Sequence, residues 1–257
     1  MHSMMSRYQP KLSKAPTELI QANGQPAFGL FDGSVAHFNL QNFVYHNLMD
    51  KKANALARYF HYKQFQFICI TGTDWLLAVA IADIRYVNSG FAYLYSFDTN
   101  QAISKGVLLP GALGCQMSDS PSAGEAKQHF GAYKVAIKAS LTHWQLIIDT
   151  KELKATLTIE KAGQMPLALC APTGYNGFTY TEKSNALKVS GKLELQGKSL
   201  DLTQALAGYD FSAGFMRRQT SWRWSSINAL VEGQAFGLNM AAGVNAVSYT
   251  HLRAHET

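Results

Sequence analysis

Cysteine is scarce: three occur in 257 residues. Cys69, Cys115 and Cys170 are odd in number, widely spaced and without a C-x-x-C grouping, so no disulfide framework and no zinc-site spacing is indicated. Each reads as a small core residue. Charge is thin as well, at 16% Asp, Glu, Lys and Arg against roughly 25% in an average soluble protein. Long charged helices are thereby disfavoured. No apolar run is long enough to cross a bilayer as a helix; the longest, Trp75 to Ala82, is bracketed by Asp74 and Asp83. The N-terminal MHSMMSRYQPKLSKAPTELIQANG has no apolar signal core, and the expected location is cytoplasmic. A G-x-G-x-x-G after a strand, a Walker loop, H-E-x-x-H and G-x-S-x-G are all missing, and His37, His46, His61, His129 and His143 stand apart. Neither a cofactor nor a metal is expected on these grounds. The formal charge is +6, but its Lys and Arg are scattered rather than gathered in runs, a weak basis for nucleic-acid binding.

Aromatic and apolar residues are plentiful, with 14 Phe, 12 Tyr and 47% hydrophobic residues. Their spacing has the period of two that marks strands. Phe65, Phe67 and Cys69 share one face; Trp75, Leu77, Val79 and Ile81 alternate with Leu76 and three alanines; Phe91, Tyr93, Tyr95 and Phe97 form one aromatic stripe, read as packed core or as a ligand-contacting wall. Farther on, Tyr133, Val135 and Ile137 oppose Lys134 and Lys138, and Leu153 to Ile159 and Leu187 to Leu195 alternate likewise, as in a sheet with one dry and one wet face. Turn signals stand at Asn88-Ser89-Gly90, Lys161-Ala162-Gly163, Gln196-Gly197-Lys198 and Glu232-Gly233-Gln234. Short strands joined by tight turns predict an all-β, antiparallel sandwich or up-and-down barrel. The one good helical spacing is Leu48 to Phe60.

Residues 1–24 read as a mobile lead-in, 25–247 as the β region, with a seam near Ala162 to Gly174 where GQMP and APTG interrupt the strands. From Ser248 onward SYTHLRAHET abandons the strand pattern and reads as a non-native read-through tail. His251 and His255, although four apart like helical metal ligands, are set aside for that reason.

The stretch richest in chemistry is GYDFSAGFMRRQTSWRWSS, Gly208 to Ser226. Read as a strand from Met216, it places Met216, Arg218, Thr220, Trp222 and Trp224 on an inward face and Arg217, Gln219, Ser221 and Arg223 on a wet one. A buried Arg218 requires a carboxylate or stacked rings, and Asp210 is its nearest candidate partner. Asp210 is then either half of a structural ion pair or, in a dry cavity, a proton donor. Tyr180 and Lys183 in TYTEK, and Asn239 in GLNMAAG, are further polar entries on apolar strands.

These residues carry a likeness. TYTEK, VSGKLELQGKSLDL, YDFSAGFMRRQTSWRWSS and FGLNMAAGVN resemble the bacterial domain-of-unknown-function family 2804, from about Gly29 to Asn245, with Asp-x-x-x-Gly followed by Thr-x-Trp-x-Trp as the specific part. That family looks like a member of the lipocalin-like (calycin) clan, which includes carotenoid hydratase and other two-domain proteins acting on isoprenoid or polyketide substrates. The resemblance implies a pair of lipocalin-like β units, the second cut short here. In the hydratase-like relatives an acidic residue stands at the position of Asp210, in a motif rich in His and aromatics that DFSAG does not reproduce.

Three functions follow as expectations. The first is a module that takes a lipid-like or isoprenoid-like molecule into an aromatic-lined barrel cavity contacted by Arg218, Lys183, Thr220, Trp222, Trp224, Tyr180, Tyr93, Tyr95 and Asn239. The second is a cofactor-independent hydratase, cyclase or isomerase with Asp210 as acid. The third is single-stranded nucleic-acid stacking on the Arg/Trp strand.

Overall fold

The computed structural model describes residues 11–161, 163, 165–217 and 219–243, together with the backbone of 251–256. Two short strands, β1 (Leu12–Ser13) and β2 (Gly29–Phe31), and helix α1 (Ala55–His61) precede the hairpins β3 (Tyr62–Thr71), β4 (Trp75–Asp83), β5 (Val87–Ser96) and β6 (Gln101–Pro110). There follow β7 (Cys115–Met117), β8 (Gly124–Phe130), β9 (Tyr133–Ala139), β10 (His143–Asp149), β11 (Leu153–Glu160), β12 (Leu167–Thr173), β13 (Gly177–Leu195), β14 (Lys198–Ser199) and β15 (Leu206–Phe215). A separate sheet is formed by β16 (Arg223–Val231), β17 (Gln234–Ala242) and β18 (His251–Glu256). The chain is all-β and antiparallel in its long strands, as the alternation predicts.

The main sheet runs β6-β5-β4-β3-β15-β13-β11-β10-β9-β8-β7 and curls upon itself. Side chains join its two ends. The Gln128 amide of β8 donates to Asn88 Oδ1 of β5 at 2.5 Å, and Asn88 Nδ2 donates to the carbonyls of Gly111 and Leu113. This is why Asn88-Ser89-Gly90 lies within a strand rather than at the expected turn. Asn88 is a fully buried closure residue, and a Cβ on Gly90 would stand 1.8 Å from Gln128 Oε1. The reversal falls earlier, at Arg85, whose φ is 72°. At Gln196-Gly197 and Glu232-Gly233 the turns form as predicted, each pair with positive φ.

The inner face holds the core: Ile68, Ile70, Leu77, Val79 and Ile81 from the front hairpins meet Val135, Ile137, Leu146, Leu157 and Ile159 from the back. The polar segment expected to lead in loosely is paired with β2 from Leu12 onward. Leu19 and Ile20 are fully buried, and their backbone N–H groups donate to His37 O and Phe38 O. Helix α1 is shorter than its periodicity suggests because Asn54 caps it, accepting from Ala57 N at 2.8 Å. Strand β12, inside the stretch expected as a seam, is hydrogen-bonded to both β13 and β2.

Candidate functional site

The site grows out of one strand pair. Lys183 of β13 stands opposite Asp210 of β15, and the next positions, Glu182 and Phe211, are also opposite each other. Because side chains alternate, Lys183 and Asp210 leave the sheet on one face while Glu182 and Tyr209 leave it on the other. Two polar centres therefore lie back to back.

On the outer face the Lys183 ammonium bonds to Asp210 Oδ2, with both residues buried. The small β16–β17–β18 sheet lies over this pair. Its Trp224 ring centroid is 5.3 Å from Lys183 Nζ, and the ring meets Phe67 edge-on at 5.4 Å. Trp224 Nε1 donates to Asn239 Oδ1 at 3.0 Å, Asn239 Nδ2 to Asn185 Oδ1 at 3.1 Å, and Asn185 Nδ2 to Asn228 Oδ1 at 3.0 Å. Asn185 sits where β13 is irregular: the register shifts between Ser184 and Leu187, and Ala186 takes φ 57° with its N–H given to Asn228 Oδ1. This amide chain fixes the small sheet to the wall. One atom at the centre is left over, because Asp210 Oδ1 is buried and has no hydrogen-bond partner.

The same outer face carries the aromatic stripe. Phe65 and Phe67 stack at 6.2 Å on β3, Phe91 and Tyr93 at 5.8 Å on β5, and between them lie Ala78 and Ala80 of β4. All four rings are half-buried, while Ala92 and Leu94, each the residue after one of the β5 rings, are buried. The stripe is thus an outward aromatic plate and not packed core. Tyr93 is four strands from Lys183, roughly 19 Å at the usual strand spacing.

The inner centre was missed by the sequence reading. Glu182 is buried among rings; Tyr180 donates to its Oε2 at 2.9 Å while accepting from Val35 N at 3.2 Å, and Ser34 bonds to the same carboxyl. Burial raises its pKa above the ordinary carboxylate value, only partly offset by those hydrogen bonds and by the Lys161 charge. Lys161 donates to Ser140 O at 2.5 Å and stands 4.2 Å from the Trp144 centroid, and desolvation lowers its pKa to about 8. Trp144 stacks on Tyr209 at 4.2 Å. The Tyr209 hydroxyl has no acceptor, and the neighbouring Trp144 N–H is already given to Pro121 O at 3.2 Å. The only signal for this centre was that Glu182 follows Tyr180 by two on an apolar strand, which puts both on one face.

The structure brings together four of the residues singled out from sequence: Asp210, Lys183, Trp224 and Asn239. Tyr93 and Tyr95 share their sheet face but lie toward its far side, where Tyr95 donates to Asn100 Oδ1. Tyr180 is on the opposite face, with Glu182. The expected strand from Met216 is a correction: β15 ends at Phe215 and β16 begins at Arg223, so the alternation breaks across the connection. Thr220 is exposed there and Trp222 is 59% exposed, neither pointing inward. Arg218 lies outside the described residues, and the partner of Asp210 is Lys183. The cavity expected inside the wall is occupied by the protein's own rings, since Phe38, Phe178, Tyr180, Tyr209 and Phe211 are each exposed by 1% or less. Among the described residues no group of three His, Cys, Asp or Glu is arranged to hold a metal, and no helix is long and apolar enough to cross a membrane. His251 and His255 contribute backbone pairing to β17, and their side chains lie outside the described atoms.

No curated protein matches the chain. Among solved structures it is similar to kievitone hydratase from Nectria haematococca, at 13% identity and TM-score 0.48 over 75% of this chain and 60% of that one. It is also similar to a protein described as an AttH from Nitrosomonas europaea, at 11% identity and TM-score 0.48 over 81% and 74%. The chain thus spans three fifths of the length of the hydratase. A family model matches residues 10–251, nearly the whole chain, and the protein belongs to the family described as Domain of unknown function (DUF2804).

Proposed function

We propose that this protein binds a hydrophobic, lipid-like or isoprenoid-like small molecule carrying a hydroxyl, on the outer face of the curled sheet. The aromatic plate of Phe65, Phe67, Phe91 and Tyr93 takes the apolar body, and the Lys183–Asp210 pair beneath Trp224 takes the polar end. The observation that carries this is Asp210 Oδ1, a buried carboxylate oxygen without a donor. Such an atom costs free energy unless a partner supplies a hydrogen bond. A ligand hydroxyl supplies it, and rings of the plate supply non-directional contact along an extended chain. Calorimetric titration with geraniol tests the reading. Saturable binding that Asp210→Asn weakens about tenfold, the worth of one charge-assisted hydrogen bond, supports it; heat that never saturates, or identical affinity in the variant, removes it.

A second reading makes the same carboxylate a proton carrier for water addition to, or isomerisation of, a carbon–carbon double bond. It is supported by the same free oxygen, on a carboxylate whose partner Lys183 has its ammonium 5.3 Å from the Trp224 centroid, so that the ring stands over the same pair. Incubation with an isoprenoid alkene followed by mass spectrometry separates the two: a product heavier by one water that disappears in Asp210→Asn, with geraniol affinity measured in parallel, indicates turnover rather than carriage.

A further inference from the structure

A shallow, mainly apolar depression lies at the barrel mouth where β3 begins, away from the Lys183–Asp210 pair. It is open to solvent, has a volume of about 200 Å³ and is walled by Leu40, Tyr59 and Phe215 with Arg58, Tyr62 and Arg85 among them. Arg85 is held there with unusual care. It occupies a turn position at φ 72°, where glycine or asparagine costs less. Its guanidinium is gripped between the rings of Tyr59 and Tyr62, 5.0 Å from each centroid, and its terminal nitrogen pairs with Asp83 at 3.0 Å. Arg58 donates to the carbonyls of Leu40 and Phe43 and lies 5.9 Å from the Phe215 ring.

Two donors in this depression have no acceptor: the Tyr62 hydroxyl and Arg85 Nε are both buried and unpartnered. Tyr62 is only 4% exposed. Buried donors left unsatisfied are uncommon in folded proteins, and two carried by residues that line one hollow lack the same thing, an oxygen with free lone pairs. The local charge narrows its identity. Arg58 and Arg85 are positive, Asp83 is engaged by Arg85, and the Asp119 carboxylate stands near enough to Tyr62 to act on its hydroxyl. A single negative charge is accepted in that field more readily than a double one. The walls are rings and a leucine, suited to a small apolar body.

We propose that this mouth depression is a binding site for a small monoanionic carboxylate with an apolar or aromatic body, its oxygens accepting from Tyr62 and Arg85. The site is independent of the outer-face reading. Calorimetric titration of the full chain with benzoate, and separately with inorganic phosphate, tests it. Benzoate is expected to bind saturably and phosphate more weakly. Tyr62→Phe removes one orphan donor without removing the ring that grips Arg85, and is expected to weaken benzoate about tenfold while leaving the thermal midpoint equal or higher. Arg85→Lys keeps the charge, loses Nε and is expected to weaken benzoate as well. Benzoate affinity unchanged in Tyr62→Phe, phosphate bound in preference to benzoate, or no saturable binding of benzoate by the parent chain would each overturn the assignment.

Discussion

Glu182 and Lys183 are consecutive in sequence, opposite in charge, and separated by the thickness of a sheet. Glu182 points inward to Tyr180, and Lys183 points outward to Asp210 on the neighbouring strand. Strand geometry forbids the two from neutralising each other, so each face has had to supply a partner of its own. Asp210 does so outside; inside, the carboxyl is held by hydroxyls with Lys161 acting only at longer range.

The pH dependence of stability follows from Glu182. Its folded pKa is raised above the ordinary 4.5, so between those values the folded state holds a proton that the unfolded chain has released. Stability then falls as pH rises from about that ordinary value. Glu182→Gln keeps a hydrogen-bonding oxygen for Tyr180 and removes the titration. Urea unfolding at a series of pH values above 4.5 is expected to show the parent losing ground relative to the variant.

Lys161 acts in the opposite sense. Its folded pKa near 8 lies below the ordinary 10.5, so over that interval the unfolded chain binds more protons and stability rises with pH. Lys161→Met lacks this slope, so the parent is expected to gain on the variant between pH 8 and 10.5. A flat difference across that range would mean that Lys161 is solvated.

Breaking the outer pair one residue at a time leaves a buried charge. Lys183→Met or Asp210→Leu alone is expected to cost about 3–5 kcal/mol, and the double variant much less, because a buried ion pair is worth little against well-packed apolar groups. Denaturant midpoints of the four proteins in the cycle decide it.

Tyr209→Phe removes a buried hydroxyl that has no acceptor and keeps the ring stacked on Trp144. Stability is expected to be unchanged or to rise by about 1–3 kcal/mol. A loss of that size would show that the hydroxyl is bonded after all.

Docking of the small sheet depends on a glycine. A Cβ at Gly237 would stand 2.7 Å from Asn185 Cβ and 3.0 Å from its carbonyl carbon. Gly237→Ala is therefore expected to push β17 away from the irregular stretch of β13 and to expose Trp224, 36% exposed in the parent, more fully. A red shift and stronger iodide quenching of tryptophan emission report it, and Trp224→Phe in the same background should abolish most of the change.

Local alternation was enough to determine the strands Tyr133–Ala139 and Leu153–Glu160 with their wet and dry faces, and the hairpin turns at Gln196-Gly197 and Glu232-Gly233, because each depends only on side chains two apart and on backbone φ. It also identified Asp210, Lys183, Trp224 and Asn239 as polar or aromatic residues out of place on apolar strands. Which of them meet was beyond its reach. Lys183 finds Asp210 through strand pairing across 27 residues, and Trp224 reaches them only after a break in the strand at Met216 to Trp222 that no period of two can foresee. Asn88-Ser89-Gly90 carries the composition of a turn yet closes the barrel, since Gln128 approaches from the far end of the sheet. Only the tertiary structure decided that the interior is filled, that the aromatic plate faces outward, and that Glu182 is the buried acid, because burial is set by which surfaces come together and not by the order of residues along one strand.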